Sequence, residues 1–291
     1  MKRRVVITGV GCVTSLGERG DELWDNLCAG KSGIGPIPRW DASRVTTRIG
    51  GECASFDVTK YGVDGREAKR IDRFGQFGLA ASKTAVEDAG LDFSREDPFR
   101  CGVIIGSGIG GIETLEEQTT ILIQRGPGRV SPMTVPRLMV NAASGNVSIM
   151  FGLQGPSTAV ATACATGANA VGDAMRFIQN DLADIMIAGG SEAALCEVGM
   201  ASFAAARAMS TRNDDPTRAS RPFDRDRDGF VMAEGAGVVV LEEYEHAVKR
   251  GARIYAELVG YGMSADAHHI TAPEPEGKGA VAAMQLALRD A

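Results

Sequence analysis

Two short runs, CGVIIG at 101–106 and DIMIAGG at 184–190, are apolar at nearly every position. A strand with one face in water alternates apolar and polar side chains, so a strand without that alternation is buried on both faces. Such strands need helices above and below the sheet, which limits the chain to the layered α/β class. The remainder of the sequence fits that class. Strands are predicted at 4–10, 101–106, 157–162, 184–189, 230–242 and 252–260. Helices are predicted at 21–29, 69–89, 142–151, 165–180, 198–206 and 277–291.

One self-similarity bears on how the layers are organised. Residues 80–89 read AASKTAVEDA and residues 282–291 read AAMQLALRDA, with alanines at matching places and a shared closing Asp-Ala. Each segment follows a predicted strand. The expectation is a duplicated fold, with residues 1–251 forming the first half and 252–291 the first strand–helix unit of a second half that the chain does not complete.

Charge and cysteine usage narrow the function. A net charge of −6 disfavours wholesale nucleic-acid binding, while leaving room for a local basic patch. No stretch approaches the ~20 apolar residues of a membrane helix. The opening MKRRVVITGVGCVTSLG has a basic start, but glycines and Thr8 interrupt its apolar run and no cleavage site follows. A buried first strand and a soluble, cytoplasmic chain are expected. The six cysteines, Cys12, Cys28, Cys53, Cys101, Cys164 and Cys196, are scattered without a CxxC pair or a histidine at ligand spacing. Neither a disulfide framework nor a metal site is expected, and no cofactor is called for.

Cys164 stands apart. In GPSTAVATACATGANAVGDAMRFIQ a β-run ends at Thr162 and an alanine-rich helix begins just past the cysteine. A thiol at a helix N-terminus faces unpaired N–H groups that favour the reactive thiolate. Ala163, Ala165, Thr166 and Gly167 leave space for a substrate. On position alone, a reactive nucleophile and a buried cysteine in a tight strand–helix joint fit equally well.

Five words break that tie. VVITGVGCVTSLG, GSGIGG, VATACATGANAVGDA, SRPFDRDRDGFVMAEGAGVVVLEEYEHA and RGARIYAELVGYGMSADAHHITAPEPEG together resemble the elongating β-ketoacyl-acyl-carrier-protein synthases of bacteria. The resemblance implies the thiolase-like fold, a layered αβαβα arrangement of two similar halves, here with the second half incomplete. It implies that Cys164 takes an acyl chain from acyl-carrier protein and that its N–H helps bind the oxyanion. A malonyl-carrier protein then decarboxylates and attacks the thioester. Homodimerisation is implied as well.

The resemblance also assigns neighbours. Ile109 and Phe203 would line the acyl pocket. Met133 and Thr134 match a pair near the dimer interface that is more aromatic in relatives, so they are assigned to the acyl pocket. Smaller side chains there would deepen it toward longer chains, although ordinary core variation is the simpler reading. His269 and Thr271 would border the active site without acting in catalysis. The basic residues Arg66, Lys69, Arg70 and Arg73, with Arg125 and Arg129, match the carrier-docking region. The family's two catalytic histidine words are absent, so this polypeptide is expected to hold the nucleophile without the decarboxylation machinery. His246 reads as a solvated helix residue. Without the family, His268 or His269 would be the natural base for a cysteine hydrolase. A polyketide ketosynthase is a rival, but ATGAN replaces the serine-rich word expected there. A non-catalytic partner subunit is another, and Cys164 itself argues against it.

Two motif matches mislead. GSGIGG at 106–111 imitates a dinucleotide fingerprint, yet no acid-ended strand follows at the required spacing. DRDRDGFVMAEG imitates a calcium loop through Asp224, Asp226 and Asp228, but Gly235 occupies the twelfth position and a strand follows where a helix should.

Overall fold

A computed structural model describes residues 2–291. Its strands are β1 (Val5–Val13), β2 (Gly35–Pro36), β3 (Ile49–Gly50), β4 (Cys101–Gly106), β5 (Ser157–Thr158), β6 (Ile185–Glu192), β7 (Gly235–Glu243) and β8 (Ala256–Glu257). Its helices are α1 (Gly20–Cys28), α2 (Gly65–Ala68), α3 (Arg73–Ala89), α4 (Ile112–Arg125), α5 (Thr134–Leu138) and α6 (Ala142–Phe151). They continue with α7 (Thr166–Gln179), α8 (Glu197–Ala205), α9 (Tyr244–Lys249) and α10 (Lys278–Asp290).

Six strands form one mixed sheet in the order β5-β4-β6-β7-β1-β8. β4 pairs in parallel with β5 and β6, while β7 runs antiparallel to both β6 and β1. The missing alternation in the apolar runs has the expected cause. Val103 and Ile105 of β4 and Ile185 and Ile187 of β6 point into a core shared with α3 and α6. Ile104, Met186 and Ala188 point the other way, against Ala170, Ala174, Met175 and Ile178 of α7. Helices cover both faces, as in the thiolase-like ketosynthase architecture.

Several predicted elements shift. The helix predicted at 69–89 starts at Arg73, because the Asp72 side chain accepts from Phe74 N and caps it there. The strand predicted at 230–242 begins only at Gly235, where φ of +150° turns the chain into the sheet. Residues 230–234 instead wall a cavity. The strand predicted at 157–162 pairs only at Ser157 and Thr158, and that predicted at 252–260 only at Ala256 and Glu257. Helix α4 was not predicted at all. Its Thr119-Thr120-Ile121 run carries β-branched residues that favour strand locally, and tertiary packing overrides them.

The sequence echo has a structural counterpart. Gly9 and Gly11 of β1 let α3 approach so closely that a Cβ on Gly11 would lie 2.0 Å from the Ala81 carbonyl oxygen. Gly260 and Gly262 do the same for α10, where a Cβ on Gly262 would lie 2.2 Å from the Ala283 carbonyl oxygen. Between the glycines, the Val10 N–H donates to Asp88 at 2.9 Å, and the Tyr261 N–H donates to Asp290 at 3.0 Å. Ala81 and Asp88 occupy the same places in the first segment as Ala283 and Asp290 in the second.

Candidate active site

Because β4, β5 and β6 are parallel, their carboxyl ends share one edge of the sheet, and β1 ends there too. In open α/β sheets ligands bind at that edge. A cavity of about 890 Å³ opens there, and its exposed wall is mostly apolar. The end of β1 contributes Cys12–Ser15, the end of β4 contributes Gly106–Ile109, and the end of β6 contributes Gly190–Glu192.

Cys164 stands in this cavity. The chain leaves β5 and forms a 3-10 turn over Ala163–Ala165, closed by the Ala165 N–H donating to the Thr162 carbonyl at 3.1 Å. α7 starts at the next residue. Ala163 holds φ of +49°, the left-handed region that costs an L-residue about 1–2 kcal/mol. This strained entry carries Cys164 at a sharp bend, where its side chain is exposed rather than packed into the joint.

The other cysteines differ. Burial pushes the thiols of Cys53, Cys101 and Cys196 up to about 12, which keeps them protonated and unreactive at neutral pH. Burial also raises Cys12, which faces the same cavity as Cys164. Cys28 is exposed at the end of α1, outside the cavity lining.

Of the residues the resemblance assigned to the acyl pocket, Ile109 and Phe203 line the cavity and Phe203 packs edge-on against Phe230 at 5.4 Å. Met133 and Thr134 do not join them. Thr134 opens α5 and donates its hydroxyl to the Ser131 carbonyl. His268, His269 and Thr271 lie in an exposed loop that contributes nothing to the cavity wall. His269 Nδ1 accepts the Ala272 N–H at 3.0 Å, folding the ring onto its own loop.

Arg66, Lys69, Arg70, Arg125 and Arg129 are exposed, and none forms an ion pair among the described residues. Arg73 is a correction to that group. Its guanidinium turns inward, pairs with the buried Glu234 at 2.6 Å and donates to the Cys53 carbonyl at 2.8 Å. Its side chain is therefore internal structure. His246 is a second correction. It bridges Glu242 at 2.9 Å and Glu96 at 3.0 Å, with the Glu242 hydrogen bond the main cause of a pKa raised to about 9.

The misleading motifs resolve on hydrogen bonding. GSGIGG does join a strand to a helix, β4 to α4, as a dinucleotide loop would. Its amides are already occupied: Gly108 N–H donates to Glu192, Gly110 N–H to Ser107 Oγ, and Gly111 N–H to the Leu138 carbonyl. A carboxylate sits where a phosphate would have to sit. In the calcium-like loop, Asp228 accepts from Ser210 and Thr211 while Asp224 accepts from the Asp226 N–H, so the carboxylates face separate partners. Glu192, Cys12 and Phe230 are wall residues that sequence reasoning passed over. An acid closing the apolar strand DIMIAGGSE is a signal that could have exposed Glu192.

A family model for the N-terminal domain of β-ketoacyl synthases matches residues 2–247. The chain is 52% identical over 289 residues to the 3-oxoacyl-[acyl-carrier-protein] synthase 2 of Synechocystis sp., covering 99% of this chain and 69% of that protein. It is 51% identical over 290 residues to the protein of the same name from Vibrio cholerae, covering 100% of this chain and 70% of that one. Among solved structures, a β-ketoacyl synthase from Burkholderia phymatum matches with a TM-score of 0.90 at 37% identity, covering 100% of this chain and 70% of its own. A ketosynthase bound to a hexaketide and in complex with its type II polyketide acyl-carrier protein matches at 0.88 and 34%, with the same coverage. With the matching fold, the cavity at the carboxyl edge and the exposed cysteine at its bend, these likenesses make the chain a member of the β-ketoacyl synthase family.

Proposed function

We propose that this chain is an acyltransferase of type II fatty-acid synthesis in which Cys164 accepts the acyl group from acyl-carrier protein. The observation that carries the reading is the placement of Cys164: exposed, at a strained bend, inside a mainly apolar cavity of about 890 Å³. The Cys164 thiolate attacks the thioester carbonyl, the carrier thiol leaves, and the acyl chain remains as a thioester on Cys164. The Cys164 N–H stabilises the developing oxyanion. In the second half-reaction malonyl-carrier protein loses carbon dioxide, and the carbanion so formed bonds to the acyl carbon. The C–S bond to Cys164 breaks, giving a β-ketoacyl carrier two carbons longer. The exposed Cys164 in this cavity supports the first half-reaction, acylation.

The acyl chain runs along Ile109 and Phe203, while Met133 and Thr134, at the start of α5, lie outside that wall. His269 and Thr271, in an exposed loop outside the cavity wall, owe their assignment to the active-site rim to the family resemblance. Exposed Arg66, Lys69, Arg70, Arg125 and Arg129 offer a basic surface for the acidic carrier protein. A homodimer is supported by β5, an exposed edge strand that packs on α6, whose Ile149 is 80% exposed. A cytoplasmic site of action fits carrier-bound substrates, and no helix among the described residues is long and apolar enough to cross a membrane.

Intact-mass spectrometry after incubation with an acyl-carrier-protein thioester tests the reading. A single acyl adduct is expected, mapped to Cys164 and absent in Cys164→Ala. An adduct on any other cysteine, or an adduct-free protein that hydrolyses the thioester, would overturn it.

A further inference from the structure

The loop between β4 and α4 carries Ile109 into the cavity, and one carboxylate holds that loop. Glu192 closes β6 at the cavity wall. It accepts from Ser107 Oγ at 2.9 Å and from the Gly108 N–H at 2.8 Å. Ser107 passes the contact on, because its oxygen accepts the Gly110 N–H at 2.8 Å. The Gly108 and Gly110 amides, on either side of Ile109, are thus tied to this side chain, the first directly and the second through Ser107. Burial pushes the Glu192 carboxyl up, and the donated hydrogen bonds pull the other way. A Cβ at Gly108 would lie 3.0 Å from Glu192 Oε2 and 3.6 Å from Ala163 Cα, so the loop is gripped between Glu192 and the bend that presents Cys164.

We propose that Glu192 is a positioning residue that fixes the Ser107–Gly110 loop, and through it the side chain of Ile109, so that it sets which acyl chains reach Cys164. The inference deepens the reading of Cys164 as acyl acceptor and rests on it. A carboxylate suits the task because it only accepts. An amide in its place would set an NH2 group against the backbone N–H donors of the loop. Loosening the loop frees Ile109, whose side chain projects into the cavity, so long chains gain access relative to short ones.

The test is the rate of Cys164 acylation by a short-chain and a long-chain acyl thioester of N-acetylcysteamine, followed by intact mass. Wild type is compared with Glu192→Gln, Glu192→Asp and Ser107→Ala, each resolved into saturating rate and half-saturating concentration. Glu192→Gln should raise the long-to-short ratio of saturating rates on the order of tenfold, the effect of losing one charge-assisted hydrogen bond. Glu192→Asp, which keeps the acceptor, should fall between it and wild type. Ser107→Ala should shift the ratio in the same direction, and it decides the matter should Glu192→Gln fold poorly. Amide hydrogen exchange at residues 107–110 should quicken in both variants, a readout that needs no acylation. Unchanged ratios and unchanged exchange in Glu192→Gln and Ser107→Ala would overturn the inference. Absence of acylation in wild type would instead refute the role given to Cys164, with hydrogen exchange still deciding whether Glu192 clamps the loop.

Discussion

At the scale of single residues, His246 and Glu242 show how a partner shifts an ionisable group, and Ala163 is one of five non-glycine residues held at positive φ among the described residues. His246 joins α9 to β7 through Glu242 and to the 3-10 turn near Phe93 through Glu96. Its folded pKa of about 9 lies above its ordinary value of 6.5, so the stability it contributes is fully present below pH 6.5 and is lost as pH rises through 9. The stability gap between wild type and His246→Gln, measured by urea melts, should therefore be widest near pH 6 and close by pH 10. Glu242 works in the opposite sense. Burial alone would raise its carboxyl, but hydrogen bonds from Arg250, His246 and Thr8 hold it at about 2. Its contribution persists above its ordinary value of 4.5 and fades as pH falls toward 2. The bend at Ala163 gives a second prediction. Ala163→Gly removes the left-handed penalty but adds freedom to the unfolded chain, so it should stabilise the fold by about 0.5–1 kcal/mol in the same melts. Loss of stability on that change would show that the Ala163 methyl makes contacts worth more than the strain.

At the scale of elements, the close approach of α3 to β1 depends on bare glycine backbone. Gly11→Ala would press a methyl into the Ala81 carbonyl and should cost about 3 kcal/mol, the upper range for overpacking. Gly262→Ala meets the Ala283 carbonyl in the same way and should cost a similar amount, read from denaturant midpoints. Equal costs would support our proposal that residues 252–291 repeat the strand–helix design found in residues 1–251; a neutral Gly262→Ala would count against it. What the sequence made legible follows from how local each cause is. CGVIIG declares a doubly buried strand in its own six residues, and β4 matches the prediction residue for residue. The strand ends of β7 and β8 depend on which neighbour is long enough to pair with them, and no local pattern carries that information. α4 was missed because its propensities oppose the helix that packing imposes. At the site, the setting of Cys164 and the placing of Ile109 and Phe203 could be read from words in the sequence. The inward turn of Arg73 could not, since Glu234 lies far along the chain and only the fold brings the two together.

At the scale of the whole molecule, one hydrogen-bonded chain joins the 252–291 unit to the bend that bears Cys164. Thr162, whose carbonyl closes that bend, donates its hydroxyl to Asn169 on the first turn of α7. The Asn169 amide donates in turn to the Tyr261 hydroxyl at 2.6 Å. Tyr261 is seated from three sides: its N–H is held by Asp290, its ring lies against Gly172, and its carbonyl accepts from Arg176. Arg176 itself pairs with Asp290 at 2.7 Å, which locks α10 onto α7. Residues 252–291 therefore bear on the site, because Tyr261 fixes the side chain of Asn169, which holds the Thr162 hydroxyl beside Cys164. Tyr261→Phe removes one hydroxyl and leaves the ring in place, so the global fold should persist with little change in melting temperature. The Asn169 amide then loses its acceptor and the Thr162 hydroxyl its fixed partner. Alkylation of Cys164 by iodoacetamide should slow by about fivefold, the effect of one hydrogen bond of ~1 kcal/mol. Asn169→Ala should slow it similarly, and the double variant should cost little more than either alone, since both cut the same chain. Additive losses in the double variant would mean that Tyr261 and Asn169 act on the bend independently, and the coupling between the two units would then have to run through packing of α7 alone.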